Sequence, residues 1–191
     1  MFYRFARRII IIFARLIYRF NVTGQEHIPQ EGAVILCSNH IHGLDALTLA
    51  IFCKRQVFYM AKKELFQGWL LGGLLRKAGA FPVDRAGNDL TAYRHTVQLL
   101  KDEKVLGIFS QGTRTQEFDN VKGGVAVFAL KTNTPVVPVG IRGSYRPFTK
   151  LHISFGPAIS MEKHQGRKVK SDLVDEVMAE IVANVSDLAQ S

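Results

Sequence analysis

Two imidazoles and a carboxylate sit close together in Ser38–Asn39–His40–Ile41–His42–Gly43–Leu44–Asp45. The apolar run Ala33–Cys37 precedes them and a second, Ala46–Phe52, follows. This pattern reads as a buried strand that delivers His40 to its C-terminal end, then a helix whose first turn carries Asp45. In α/β proteins, ligand-handling groups tend to sit outside the carboxyl ends of strands. Histidine titrates near neutrality without perturbation, so His40 beside Asp45 is a general-base candidate. His-x4-Asp alone is a weak motif. The same spacing fits a histidine that caps a helix or satisfies a loop. His42 fits the spacing less well and reads as a loop residue or one standing behind the site.

Two further apolar stretches end in polar groups. Gly79–Ala80–Phe81–Pro82–Val83 runs into Asp84–Arg85, and Val105–Phe109 runs into Ser110–Gln111–Gly112–Thr113–Arg114–Thr115. Each has a bland reading, since Arg85 can pair with Asp84 or Asp89 and a Gly-Thr step is often only a turn. Taken with His40 they make one cleft with a base, two guanidiniums for an anion, and backbone N–H groups at a glycine turn. The planar fork of arginine binds phosphate bidentately.

The elements needed to hold these groups alternate. Strands are expected at 21–24, 33–37, 56–60, 105–109, 135–143 and 151–155. Helices are expected after Asp45, over 89–101 with Asp89 as N-cap, over 122–131, and over 171–188 with Leu173, Val177, Ile181, Val185 and Leu188 inward. Gly68–Lys77 is apolar and glycine-flecked. It fits an acyl-chain site or a segment dipping towards lipid, but reads most simply as a core helix. Strands alternating with helices predict an α/β fold: one domain, with a mixed, mostly buried sheet flanked by helices. The 191 residues suffice for a sizeable core, and 47% apolar with 21% charged residues argues against disorder. Cys37 and Cys53 lie in apolar runs without zinc or redox spacing, so they read as buried thiols.

The net charge of +9 and pI near 9.8 invite an anionic partner. More than half of that charge sits in Met1–Phe20, which holds five arginines and no acid. On a helical wheel Arg4, Arg7, Arg8, Arg15 and Arg19 span an arc of roughly 120°. Phe2, Phe5, Ile9, Phe13, Leu16, Ile17 and Phe20 lie around the other side. That is the pattern of an interfacial helix lying in an anionic bilayer surface. The uninterrupted apolar run Ile9–Ala14 is too short to span a membrane, no signal-peptide cleavage site follows, and no nucleic-acid-binding signature is present. The expected organisation is an anchoring amphipathic helix over 1–20 and a catalytic domain over 21–191.

Together these blocks resemble the 1-acylglycerol-3-phosphate acyltransferases, within the wider glycerolipid acyltransferase family. Asn39–His40 through Asp45 matches the N-H-x4-D block of that family, and Gly79 through Arg85 matches the second block. Phe109–Thr115 is similar to the F-P-E-G-T-R-S block, and Val137–Pro138–Val139–Gly140 to the fourth. The likeness covers roughly residues 22–160. It implies that His40 takes a proton from a lysophospholipid hydroxyl and that Asp45 orients His40. It also implies that Arg85 binds glycerol phosphate with Arg114 and Lys62 or Lys63 nearby, that Gly112 and Thr113 shape the cleft, and that Pro138 packs behind it. The implied acceptor is lysophosphatidic acid and the product phosphatidic acid, in phospholipid biosynthesis. The implied donor is an acyl thioester of coenzyme A or acyl carrier protein, with no metal or other cofactor. The implied location is the cytoplasmic face of the cell membrane, bound peripherally. Ser110–Gln111 replaces the usual Pro-Glu of the third block. That removes a carboxylate and leaves room for another lysolipid acceptor, or for a membrane-binding relative with weak catalysis.

Overall fold

The computed structural model describes residues 2–84, 89–110 and 123–191. Its elements are α1 (Phe2–Ile17), β1 (Arg19–Thr23), β2 (Val34–Ser38), α2 (Asp45–Phe52), β3 (Val57–Lys62), α3 (Trp69–Lys77) and β4 (Ala80–Val83). There follow α4 (Leu90–Lys101), β5 (Val105–Phe109), α5 (Gly124–Thr132), β6 (Val136–Gly143), β7 (Lys150–Phe155) and α6 (Ser171–Gln190). The strands form one mixed sheet in the order β1-β7-β6-β2-β5-β3-β4. Every neighbouring pair is parallel except β6 and β7. The expected α/β architecture is therefore the observed one.

The order of the strands decides where the chemistry gathers. β6, β2, β5, β3 and β4 all point the same way, so their C-terminal ends share one edge of the sheet. His40 follows β2 at that edge, and Lys62 ends β3 there. Val83 and Phe109, the last residues of β4 and β5, end there too.

All five residues of β2 are buried, because this strand is central and covered on both faces. Ile35 and Cys37 face one core with α4, α5 and α6; Val34 and Leu36 face the other with α2 and α1. Cys37 and Cys53 are both buried free thiols and belong to opposite cores. Burial pushes the Cys37 thiol up to about 12. Asp89 does cap α4: its Oδ1 accepts the Ala92 N–H at 2.9 Å. Leu173, Val177, Ile181 and Val185 form the buried stripe of α6.

Two expectations need correction. The first helix ends at Ile17, and Arg19 and Phe20 belong to β1 rather than to a helix over 1–20. The strand wins there because β7 offers it a parallel partner, with Phe20 opposite Leu151, and Phe20 packs edge-on against Phe52 at 4.9 Å. The second correction concerns 69–77, which is helical but is no core helix. Gly72 is its only buried residue, and Trp69, Leu70, Leu71 and Leu74 are exposed. Among the described residues, no helix is long and apolar enough to cross a membrane.

The end of α6 sets a tight packing constraint. A Cβ on Gly140 in β6 would lie 2.3 Å from the Leu188 carbonyl carbon and 2.5 Å from the Ala189 nitrogen. Both are backbone atoms, so neither can swing aside. Gly140→Ala is expected to destabilise the fold by about 3 kcal/mol, as overpacking does. In a domain of this size that lowers the melting temperature by about 6–12 °C. A thermal melt matching the unaltered chain would contradict this packing.

Candidate active site

β2 ends at Ser38, and Asn39 then fixes the direction of the exit. Its side-chain amide donates to the Ile141 carbonyl at 2.8 Å, and its Oδ1 accepts the Ile141 N–H at 2.8 Å. Asn39 thus continues the ladder to β6 with a side chain where the backbone turns away. The next strand is tied in as well, since the Ser110 N–H donates to the Ser38 carbonyl at 2.8 Å. Pro138, the proline of the fourth block, is buried in β6 opposite Cys37 of β2, directly behind this exit.

The chain then wraps around one carboxylate. Asp45 is the first residue of α2 and is fully buried. Its Oδ2 accepts three hydrogen bonds: from His40 Nδ1 at 2.7 Å, the Ile41 N–H at 2.7 Å and the His42 N–H at 2.8 Å. The positive end of the helix favours a negative charge at this position. A carboxylate receiving that many donors can only accept, so Nδ1 of His40 carries the proton. Nε2 is left with a free lone pair. The His40 side chain is 39% exposed, so that lone pair can be reached from outside. The ring stacks on Phe109 at 4.4 Å between centroids, which fixes its plane. This is the arrangement of a general base whose tautomer and orientation are set by a buried acid.

A second layer lies behind Asp45, built from Thr48 and Tyr145. Asp45 Oδ1 is buried with no hydrogen-bond partner among the described residues. Next to the carboxylate stands the Tyr145 hydroxyl, 2.9 Å from Thr48 Oγ1. Burial pushes the Tyr145 phenol well up, the Thr48 bond opposes this, and the Asp45 carboxylate adds to the rise. His42 stacks on Tyr145 at 4.6 Å, and its Nδ1 accepts the Leu44 N–H at 3.2 Å. His42 is therefore a loop-ordering residue whose backbone, not its ring, touches Asp45. Thr48 has a sequence signal, one helical turn after Asp45. Tyr145 has none, because it arrives from the β6–β7 connection.

The other expected site residues are placed less fully. Lys62 is exposed at the end of β3, on the same sheet edge as His40. Lys63 pairs with Asp84 at 2.5 Å. Arg85, Gln111, Gly112, Thr113 and Arg114 lie outside the described residues, as does Lys122. The described flanks of the first two segments, Val83 and Phe109, are at the His40 edge.

Known proteins resemble this chain in sequence and share its fold. A family model described as "Acyltransferase" matches residues 19–142. A 1-acyl-sn-glycerol-3-phosphate acyltransferase of Bacillus subtilis is 33% identical over 142 residues, 74% of this chain and 71% of that protein. One of Streptococcus pneumoniae is 32% identical over 150 residues, 75% of this chain but only 55% of that protein. The crystal structure of the lysophosphatidic acid acyltransferase PlsC from Thermotoga maritima shares the fold, with a TM-score of 0.70 over 97% of this chain and 80% of that one, at 22% identity. The matched segment runs from β1 into β6 and so contains the whole His40–Asp45 turn, which places an oriented imidazole inside a sequence pattern shared with named enzymes: the chain belongs to the acyltransferase family.

Proposed function

We propose that this enzyme moves a fatty acyl group from an acyl thioester to the sn-2 hydroxyl of 1-acylglycerol-3-phosphate, giving phosphatidic acid. The observation that carries the reading is His40, held through Nδ1 by a buried Asp45 with Nε2 accessible. Nε2 accepts the proton of the acceptor hydroxyl as its oxygen bonds to the thioester carbonyl carbon. The carbonyl becomes a tetrahedral oxyanion. It collapses with cleavage of the C–S bond, and the leaving thiolate takes the proton back from the imidazolium. No covalent acyl-enzyme is needed. The nature of the acceptor and the order of the blocks assign Arg85 and Arg114, with Lys62, to the phosphate. Gly112 and Thr113 are assigned to the oxyanion through their N–H groups. Gln111 stands where the third block of the family has Glu and offers hydrogen bonds without a charge.

The acceptor is a membrane lipid, and α1 suits a protein working at the cytoplasmic face of the membrane. Ile10, Ile11 and Ala14 pack on the core beside α2, and Arg7 Nε donates to the Ile51 carbonyl at 2.9 Å. Arg7 is thereby spent on the end of α2 rather than on a headgroup. Ile12, Phe13 and Leu16 remain exposed, as do Arg8 and Arg15. The side chains of Phe2, Arg4 and Phe5 lie outside the described residues. An exposed apolar strip edged by arginines fits an interfacial helix.

The test is incubation of the purified chain with labelled acyl-coenzyme A or acyl carrier protein and lysophosphatidic acid. Labelled phosphatidic acid is expected. A panel of lysolipid headgroups, run in parallel, identifies a different acceptor. No product with any of them, from either donor, overturns the proposal.

A further inference from the structure

We propose that α3 is a second membrane-contacting surface, which inserts Trp69, Leu70, Leu71 and Leu74 into the acyl region of an anionic bilayer. This rests on the reading above that the acceptor is taken from a lipid surface.

The outward face of α3 is apolar without being a packing fault. Trp69 is 89% exposed, Leu70 69% and Leu74 57%. At 100° per residue, Leu70, Leu71 and Leu74 span about 100° on the side away from Gly72, and Trp69 stands exposed as the first residue of the helix. The Gly72 side is fixed. A Cβ on Gly72 would lie 2.6 Å from the Phe66 carbonyl oxygen, and the Arg76 guanidinium sits 5.1 Å from the centre of the buried Phe66 ring. Rotating the helix to bury its leucines would break both contacts. Residues this open do not line an enclosed slot for an acyl chain. A tryptophan at one end of the leucines and cationic Arg76 and Lys77 at the other is the chemistry of an interfacial helix.

Position and charge favour a bilayer over a second copy of the chain. The β2–α2–β3 and β3–α3–β4 crossovers advance in the same direction across the sheet, so right-handed connections put α2 and α3 on one face. α1 packs against α2 on that face. Two helices with exposed apolar residues thus belong to the same side of the molecule. Both carry only basic charges: four arginines in α1, and Arg76 with Lys77 in α3, with no acid in either. Self-association through this face would bring like charges together. An anionic lipid surface would neutralise them.

Trp69 is the only tryptophan in the chain, so it reports on this contact directly. The full chain is mixed with vesicles of phosphatidylglycerol and phosphatidylcholine, with and without brominated acyl chains. Trp69 emission is expected to move to the blue and to be quenched by the brominated lipid. The double variant Leu70→Asp/Leu74→Asp is expected to lower vesicle partitioning by about tenfold or more. It should still acylate a water-soluble short-chain lysophosphatidic acid at the unaltered rate. Absence of quenching overturns the proposal, whether or not the chain binds the vesicles. So does a blue shift that grows with protein concentration without lipid, which would mark a second copy on this face. Quenching of Trp69 in a chain that transfers no acyl group upholds the α3 contact and counts against the proposed activity instead.

Discussion

His40→Ala is expected to lower acyl transfer by about 10²–10⁴-fold, the contribution of a positioned general base, while the protein still folds. Both halves follow from how the ring is held. His40 is partly exposed and contributes one ion-pair contact and one stacked face, on Phe109. Removing it leaves Asp45 Oδ2 with the Ile41 and His42 N–H groups, so the buried charge stays satisfied and the turn keeps its shape. The chemistry has no such reserve. Among the described residues no other imidazole touches the Asp45 side chain, and His42 is committed to Tyr145 and the Leu44 N–H. The loss should fall on kcat rather than KM, because the base acts as the hydroxyl proton moves and not in holding phosphate. Initial rates with a labelled thioester and a thermal melt check the two halves. A variant that keeps more than a tenth of the activity would remove His40 from the mechanism.

The parts that could be read from sequence are those fixed by short-range rules. Strand and helix alternation, the Asp89 cap and the α6 stripe all depend on residues within a few positions of each other, and all are present. His40 at a strand end with Asp45 opening a helix was legible for the same reason. What escaped is set by the third dimension. Gly68–Lys77 is apolar enough to suit a core or a lipid surface, and periodicity cannot say which solvent a helix faces. The outcome depends on Gly72 meeting Phe66 and on no described element covering the leucines. Tyr145 stands 100 residues after Asp45 in the chain and reaches it only because β6 lies beside β2. Its T-shaped contact with Tyr18, at 5.9 Å, also links the end of α1 to the carboxylate. Arg85 and Gly112–Arg114 each follow an apolar stretch in the sequence and lie outside the described residues; the strands ahead of them, β4 and β5, end at the His40 edge.

Asp45→Asn separates the structural from the chemical role of the carboxylate. Asparagine has the same shape. Its Oδ1 can accept the Ile41 and His42 N–H groups, and its amide can donate towards the Tyr145 and Thr48 hydroxyls, on the side where Asp45 Oδ1 has no partner. The turn and the start of α2 should therefore persist, with stability lowered by about 1 kcal/mol, since a neutral amide oxygen replaces the charged acceptor of these N–H groups. Asp45→Ala instead takes the acceptor from two part-buried backbone N–H groups, and at about 1 kcal/mol for each it should melt below the asparagine variant. Activity should order differently. Both variants lack the negative charge that stabilises the imidazolium as the proton arrives, and both should lose about 10²–10⁴-fold in kcat. Because base and orienting acid act as one unit, His40→Ala/Asp45→Asn should be scarcely slower than either single change. Stability measured by melting and kcat measured on the same preparations give the decisive comparison. If Asp45→Asn keeps full activity, the carboxylate only folds the turn. If Asp45→Asn is inactive but melts near the unaltered chain, Asp45 acts through its charge on His40.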